Sequence, residues 1–256
     1  MSGLIIVAPR PIAGITASRG ADAANLFTRD PREVWRDADS GSAVQFRIDL
    51  GEVQLIDTIF LGHATPLEAA TTWTLRGGLV GYQQNVIQAQ SGMRVQDSAT
   101  SAPRRSHGLW HGPPIGLRYL EIELSTPAGS PPIAIGSLMI GKAFAPKFNK
   151  EWGAGRGVLD TGRATRLANG GFAIVDGVRR GSYSWSFGDL SQAEVDALYE
   201  IQLQCGETAP VLVVEDPVRS VGLYHRIHYA KFASLKPYRR RNPAQTRWEL
   251  EVEQWG

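Results

Sequence analysis

Val44-Gln45-Phe46-Arg47-Ile48-Asp49-Leu50-Gly51, soon followed by Ile56-Asp57-Thr58-Ile59-Phe60-Leu61-Gly62-His63, is the stretch on which the fold turns. Val44, Phe46, Ile48 and Leu50 fall on one side of an extended chain, and Gln45, Arg47 and Asp49 on the other. That period of two predicts a half-buried strand. Gly51-Glu52 reads as a turn. Ile56 to Gly62 is a nearly continuous apolar run and predicts a central strand. Leu117 to Leu124 alternates again, with Leu120, Ile122 and Leu124 opposite Tyr119, Glu121 and Glu123.

Around this centre the first half fills in. Leu4 to Ala8 predicts a first strand, and Thr71 to Arg76 another. Ala21 to Asp39 is polar with isolated anchors Leu26, Phe27, Val34 and Trp35, so it reads as a loop. Ser91 to Pro114, rich in Ser, Gly, Pro and Arg, reads as a long exposed excursion. Ile133 to Gly141 is a strand that would close a sandwich. Periodicity is lost from Lys142 to Gly157, which carries Pro146, Asn149, Gly153, Gly155 and Gly157. The reading therefore divides the chain into residues 1–145 and 146–256.

The second half opens with short strands, 157–166 and 172–175, separated by the turn signal Asn169-Gly170-Gly171. From 179 to 187 the chain alternates into Tyr183, Trp185 and Phe187, with serines between them. Ser191 precedes Glu194 by three residues, a capping box that predicts a helix over about 191–204. Gly206 supplies its stop. Pro210 to Glu215 predicts a buried strand ended by Asp216-Pro217. Residues 223–232 and 247–255 predict two more, and in the last Trp248, Leu250 and Val252 alternate with Glu249, Glu251 and Glu253. Twenty-eight glycines and 15 prolines, scattered between many short β segments, predict a mainly β chain of sandwiches or barrels.

Composition excludes several function classes. Hydrophobic content of 43% and charged content of 20% support a packed core rather than disorder. A net charge of +2 gives no footprint for nucleic acid. The dense basic cluster Arg239-Arg240-Arg241 reads as surface or interface. The single cysteine, Cys205, excludes an intramolecular disulfide and reads as a small packed hydrophobe. Leu4 to Ala8 is stopped by Pro9 and Pro11, so no signal peptide is read. No apolar run approaches the ~18 residues needed to cross a bilayer. The expectation is a soluble protein made in a cytoplasm.

Catalytic signatures are missing too. There is no G-x-S-x-G elbow, no Walker loop, no G-x-G-x-x-G after a strand and no Cys-x-x-Cys. His225 and His228, three apart on a predicted strand, would point to opposite faces. His107 and His111 suggest no metal pair, because Pro113-Pro114 argues against a helix there. The expectation is a non-enzyme with no metal and no cofactor.

Two resemblances complete the reading. Trp35, Asp49-Leu50-Gly51, Ile56-Asp57-Thr58-Ile59 and Arg118-Tyr119-Leu120-Glu121-Ile122 occur in the order found in discoidin-type, coagulation-factor C-like modules. Residues 1–145 therefore resemble a galactose-binding-like jelly-roll β-sandwich. That resemblance implies adhesion to glycan or a spacer role. Trp110, with His107 and His111, is the candidate sugar-contacting group, whereas Trp73 lies in a strand and reads as core. Tyr183 to Phe187, the Leu190-Ser191-Gln192-Ala193-Glu194 cap, Gly206 and Pro210 to Pro217 resemble distal tail or minor tail proteins of long-tailed phages. This second resemblance implies a barrel-like β domain with one packed helix and a ring, hexameric in that family, at the end of the tail tube. Partners would be copies of the chain, tube and hub proteins and a host-surface glycan, and the location would be the virion tail tip. Arg239, Arg240 and Arg241 against Glu249, Glu251 and Glu253 are the candidate inter-subunit surfaces. The alternative is a free carbohydrate-binding or adhesion module accessory to a separate enzyme.

Overall fold

A computed structural model describes residues 3–39, 43–93, 95–96 and 105–255. The first half contributes β1 (Ile5–Val7), β2 (Gly14–Ala17), β3 (Trp35–Asp37), β4 (Ala43–Ala64), β5 (Thr72–Gly78) and β6 (Asn85–Gly92). It continues with β7 (Val95–Gln96), β8 (Ser106–Ser125), β9 (Ile133–Ile135), β10 (Ser137–Gly141) and β11 (Ala143–Phe144). The second half contributes β12 (Gly155–Asp160), β13 (Arg163–Arg166), β14 (Phe172–Val175) and β15 (Arg179–Leu190), then helix α1 (Gln192–Cys205). Strands β16 (Val211–Val214), β17 (Ile227–Ser234), β18 (Arg239–Asn242) and β19 (Gln245–Gln254) end the chain. The protein is mainly β, as its alternation predicts.

One sheet runs β10-β4-β8-β5-β6, with β2 added to β4 and β7 to β8. Its inner face buries Val44, Phe46, Ile48, Ile59, Leu120 and Ile122 around Trp35. Trp35 meets Phe46 edge-on at 4.7 Å, and its indole N–H donates to the Arg19 carbonyl at 3.2 Å. The segment around it is not a plain loop. A short 3-10 turn, Ala23–Phe27, and strand β3, paired with β9, give Trp35 its fixed place.

Gly51-Glu52 is not a turn. β4 continues through it, and the register against β8 shifts between Asp49 and Gln54. The Asp49 carboxylate holds this bulge by accepting two hydrogen bonds from Arg118, at 2.9 and 3.1 Å, and the Gly51 N–H at 2.8 Å. Gly51 sits at φ 83°, a left-handed conformation that glycine adopts without strain. The predicted excursion is corrected in the same way. Residues 94 and 97–104 lie outside the described set, but from Ser106 onward the chain is β8. Pro113-Pro114 is tolerated because the pairing jumps there, from Thr58↔His111 to Ile56↔Ile115, where no ladder N–H is required.

The other large sheet runs β11-β1-β16-β17-β19-β15-β12, with β18 added to β19. β1 lies between β16 and β11, so residues 5–7 cross the expected 1–145/146–256 division and belong by pairing to the second sheet. The two sheets meet through Ile5, Val7, Phe60, Met139, Leu212 and Tyr229. The Asp57 carboxylate fixes this junction by accepting the Ala143 N–H at 2.7 Å. α1 begins at the predicted cap: Ser191 N–H donates to Glu194 Oε2 at 2.8 Å, and Glu194 N–H to Ser191 Oγ at 3.4 Å. Val195, Leu198 and Cys205 are buried against the sheet, and burial pushes the Cys205 thiol up to about 11. The second sheet is barrel-like, as expected: it curls until Phe144 of β11 meets Phe187 of β15 with ring centroids 6.5 Å apart. Among the described residues no pairing joins β11 to β12, so this sheet has two open edges.

Candidate functional site

β8 sends its side chains alternately to two different environments. Trp110 lies opposite Ile59 and packs partly against the first core. Leu109 lies opposite Phe60 and His111 opposite Thr58, so the odd-numbered residues face the other side of the sheet. The Trp110 ring lies back along its own strand over Gly112, where a Cβ would come within 2.7 Å of it.

Beside this indole is a cleft of about 420 Å³, lined by Gly77, Asn85, Ile87, Trp110, Pro113 and Leu117. Gly77 leaves bare backbone there, since a Cβ on it would approach the Tyr119 carbonyl oxygen to 2.6 Å. Val86, 63% exposed, and Val53, 59% exposed, are apolar surface residues of the same sheet. The cleft thus combines an aromatic plane, a side-chain-free floor and one amide. Its volume lies in the range of small-ligand sites. Such a plane takes the apolar face of a flat ring, and an amide both donates to and accepts from hydroxyls.

The structure does not bring His107 and His111 to this cleft. His107 is buried on the opposite face, where its Nδ1 accepts the His63 N–H at 3.0 Å. Its ring stacks on Tyr224 with centroids 4.7 Å apart. Burial, with the positive charge of Arg105, lowers His63 to about 3, and burial holds His107 well below the usual imidazole range. His111 Nδ1 is 2.9 Å from Thr58 Oγ1, whose proton goes to Asp57 at 2.8 Å. The His111 ring therefore donates from Nδ1. His107 serves the joint between the sheets, whereas His111 is exposed and reaches it only through Thr58 and Asp57. Trp73 is core, as expected.

The joint also holds a second cavity, about 320 Å³, lined by His63, His107, Tyr183, Tyr224, His228 and Arg156 among others. His228 Nε2 lies 2.9 Å from Glu215, which also pairs with Lys150 and with Arg156 at 2.6 Å. Burial alone would raise the Glu215 carboxyl, but hydrogen bonds from His228 and Lys150 hold it well below the usual carboxylate range. Burial lowers His228 against the pull of Glu215. These charges satisfy one another. Among the described residues no group of three or more His, Cys, Asp or Glu could hold a metal. Among the described residues no helix is long and apolar enough to cross a membrane.

The candidate inter-subunit charges lie on one hairpin, because β18 pairs with β19. Arg240 donates to Gln192 at 2.7 Å, and Arg241 pairs with Glu151 at 3.5 Å and Asp189 at 3.6 Å. Arg239 is exposed opposite Arg247. Glu249 pairs with Arg247, Glu251 with Lys236 at 2.6 Å, and Glu253 with Lys231 at 3.4 Å. Sequence reasoning missed Gly77 and Asn85, whose residue types carry no signal until β5, β6 and β8 converge.

No family model and no curated protein matches this chain. Among solved structures, a carbohydrate-binding module, CBM32-3, of a family 31 glycoside hydrolase from Clostridium perfringens is 14% identical. It covers 53% of this chain and 94% of its own, with a TM-score of 0.40. Chitosan-binding module 1 from a chitosanase/glucanase of Paenibacillus sp. IK-5 is 12% identical over 50% of this chain and 92% of that one, with a TM-score of 0.37. The lectin binding domain of lectinolysin, complexed with Lewis b, is 13% identical over 50% and 91%, with a TM-score of 0.37. These likenesses are coarse and span about half of this chain.

Proposed function

We propose that the N-terminal sandwich holds a glycan in the cleft beside Trp110. The observation that supports this is a partly exposed indole laid over Gly112, next to the bare backbone of Gly77 and the amide of Asn85. A pyranose stacks its apolar face on such a ring and offers hydroxyls to the amide. The test is a glycan array followed by calorimetry on the sugar retained. Trp110→Ala should abolish binding, and Asn85→Ala should weaken it by about tenfold, the loss of one hydrogen bond of roughly 1.4 kcal/mol. Unchanged affinity in Trp110→Ala would overturn the reading.

We further propose that the second half makes the chain a component of a phage or phage-like tail tip, assembled with its own copies, a tube and a hub, and so located in the virion. The residue pattern from Tyr183 to Pro217 supports this, as do the two open edges of the second sheet and the exposed hairpin beyond β12. The role is assembly and attachment, with no catalytic step. A free adhesion module would be a monomer of 27.9 kDa, whereas a tail component would be a multimer, sixfold if the family resemblance extends that far. Negative-stain images of the purified protein and its mass in solution separate the two. A generic ester, peptide and glycoside screen checks the absence of turnover.

A further inference from the structure

The joint cavity, about 320 Å³, reaches the end of β19, where one face of the second sheet gathers polar side chains. Arg156 lies opposite Tyr183, and Val158 opposite Gly181, across β12 and β15. Tyr183 in turn lies opposite Val252, and Gln254 opposite Ala230. Alternation then places Arg156, Tyr183, Gln254 and His228 on one face, and all four line the cavity.

Three of these side chains carry polar atoms that no described residue meets. His228 is 1% exposed, and its Nε2 lies 2.9 Å from the Glu215 carboxylate. The proton therefore sits on Nε2, and Nδ1 keeps a bare lone pair. Gln254 accepts the Gly181 N–H at 3.3 Å through Oε1, which leaves its NH2 group free. The Tyr183 ring lies along its strand over Gly181, where a Cβ would meet it, and its hydroxyl has no partner among the described residues. Polar groups held away from bulk water are costly to leave unmet. Charge is unmatched as well. Lys150 and Arg156 share one carboxylate, Glu215, so one positive charge is left over. Glu215 also keeps His228, so Arg156 can turn part of its fork to a ligand without stranding the glutamate.

We infer that this end of the joint cavity binds a pyranose that bears a carboxylate, a hexuronic or sialic acid residue. Its carboxylate meets the remaining N–H groups of Arg156 and the NH2 of Gln254, since a guanidinium fork matches a carboxylate in shape and charge. Its ring lies against the Tyr183 phenol, and its hydroxyls donate to His228 Nδ1 and pair with the Tyr183 hydroxyl. The volume is at the lower end of small-ligand sites, so one residue of a glycan enters. The Trp110 cleft lies on the first sheet, beside Gly77 and Asn85, and the two sites stand or fall separately.

The test is calorimetry and NMR titration of the full chain with the methyl glycosides of glucuronic acid and N-acetylneuraminic acid. Methyl glucoside and acetate are the controls. One of the two acids should bind at least tenfold more tightly than either control, and the better of the two names the source of the carboxylate. The His228 imidazole signals should move during that titration. Arg156→Gln should weaken binding by about 30-fold, the loss of a charge-assisted pair. Gln254→Glu puts a negative charge in place of the free NH2 and should weaken it by about tenfold. Both variants should keep the wild-type melting temperature, because Glu215 retains two partners and a glutamate at 254 still accepts the Gly181 N–H. No binding of either acid, equal binding of a control, or an unmoved His228 signal would overturn the site. Binding that survives both variants but is lost in Trp110→Ala would overturn it too, and would leave the Trp110 cleft as the place where the sugar is held.

Discussion

Phe60-Leu61-Gly62 on β4 and Trp110-His111-Gly112 on β8 are the same device used twice. In each, an aromatic ring lies along its strand over a glycine two residues on. A Cβ on Gly62 would come within 2.2 Å of the Phe60 ring, and one on Gly112 within 2.7 Å of Trp110. The outcomes differ because the rings face opposite sides of one sheet. Phe60 is fully buried between two sheets, stacked on Tyr229 at 6.3 Å and against His107 at 5.2 Å. Trp110 remains partly open beside a cleft. An identical local pattern thus makes a joint where a second sheet covers it, and a platform where nothing does.

The largest expected effect lies at the joint. Phe60→Ala should destabilise the fold by about 4 kcal/mol in denaturant titration, as truncation of a fully enclosed aromatic does. Gly62→Ala should follow in the same direction, because Phe60 has no open space to move into. A loss near that of an exposed residue would erase the contrast with Trp110.

Acid should act on the same side. In the unfolded chain His63, His107 and His228 take up protons as pH falls through about 6.5. In the fold, burial lowers all three, so they stay neutral and the unfolded state binds more protons. Stability is therefore lost as pH falls below about 6.5, by up to about 1.4 kcal/mol per histidine per pH unit. For His63 the loss continues down to about 3. The carboxylates held low, Glu215, Asp49 and Asp160, lose their contribution only as pH falls further, through the ordinary carboxylate range and below. Thermal melts at pH 7, 6 and 5 isolate the histidines, and His107→Gln, which can still accept the His63 N–H, should flatten the slope. A flat profile in wild type would mean that the joint admits water.

The smallest effect belongs to the platform. Gly112→Ala should displace the Trp110 indole into solvent at less than about 1 kcal/mol, yet shift its fluorescence and alter any glycan response. A stability loss as large as that of Gly62→Ala would make Trp110 a core residue and not a binding one.

Much of this was legible in the order of the residues. Asp49, Gly51 and Arg118 stand in the discoidin-like pattern because together they hold the β4 bulge. Asp57 stands in it because its carboxylate takes the Ala143 N–H. Ser191 and Glu194 announced α1, since capping is local and needs no tertiary partner. Pro113-Pro114 misled because proline reports a missing donor, which a bulge inside a strand satisfies as well as a loop does.

The sequence by itself determined the mainly β class, the buried faces of β4, β8 and β19, the helix and its cap, and Trp110 as a residue to watch. Those follow from a two-residue period, from capping chemistry and from apolar content. Only the tertiary structure decided that β1 belongs to the second sheet, that His107 and His111 turn away from Trp110, and that Arg239–Arg241 sit on β18, paired to the start of the strand that carries Glu249, Glu251 and Glu253. It also decided that Gly77 and Asn85 converge on the indole and that β11 and β12 are left open. The physical reason is that strand pairing joins residues far apart in the chain. Alternation fixes which side chains share a face, but not which sheet, or how much water, lies beyond it.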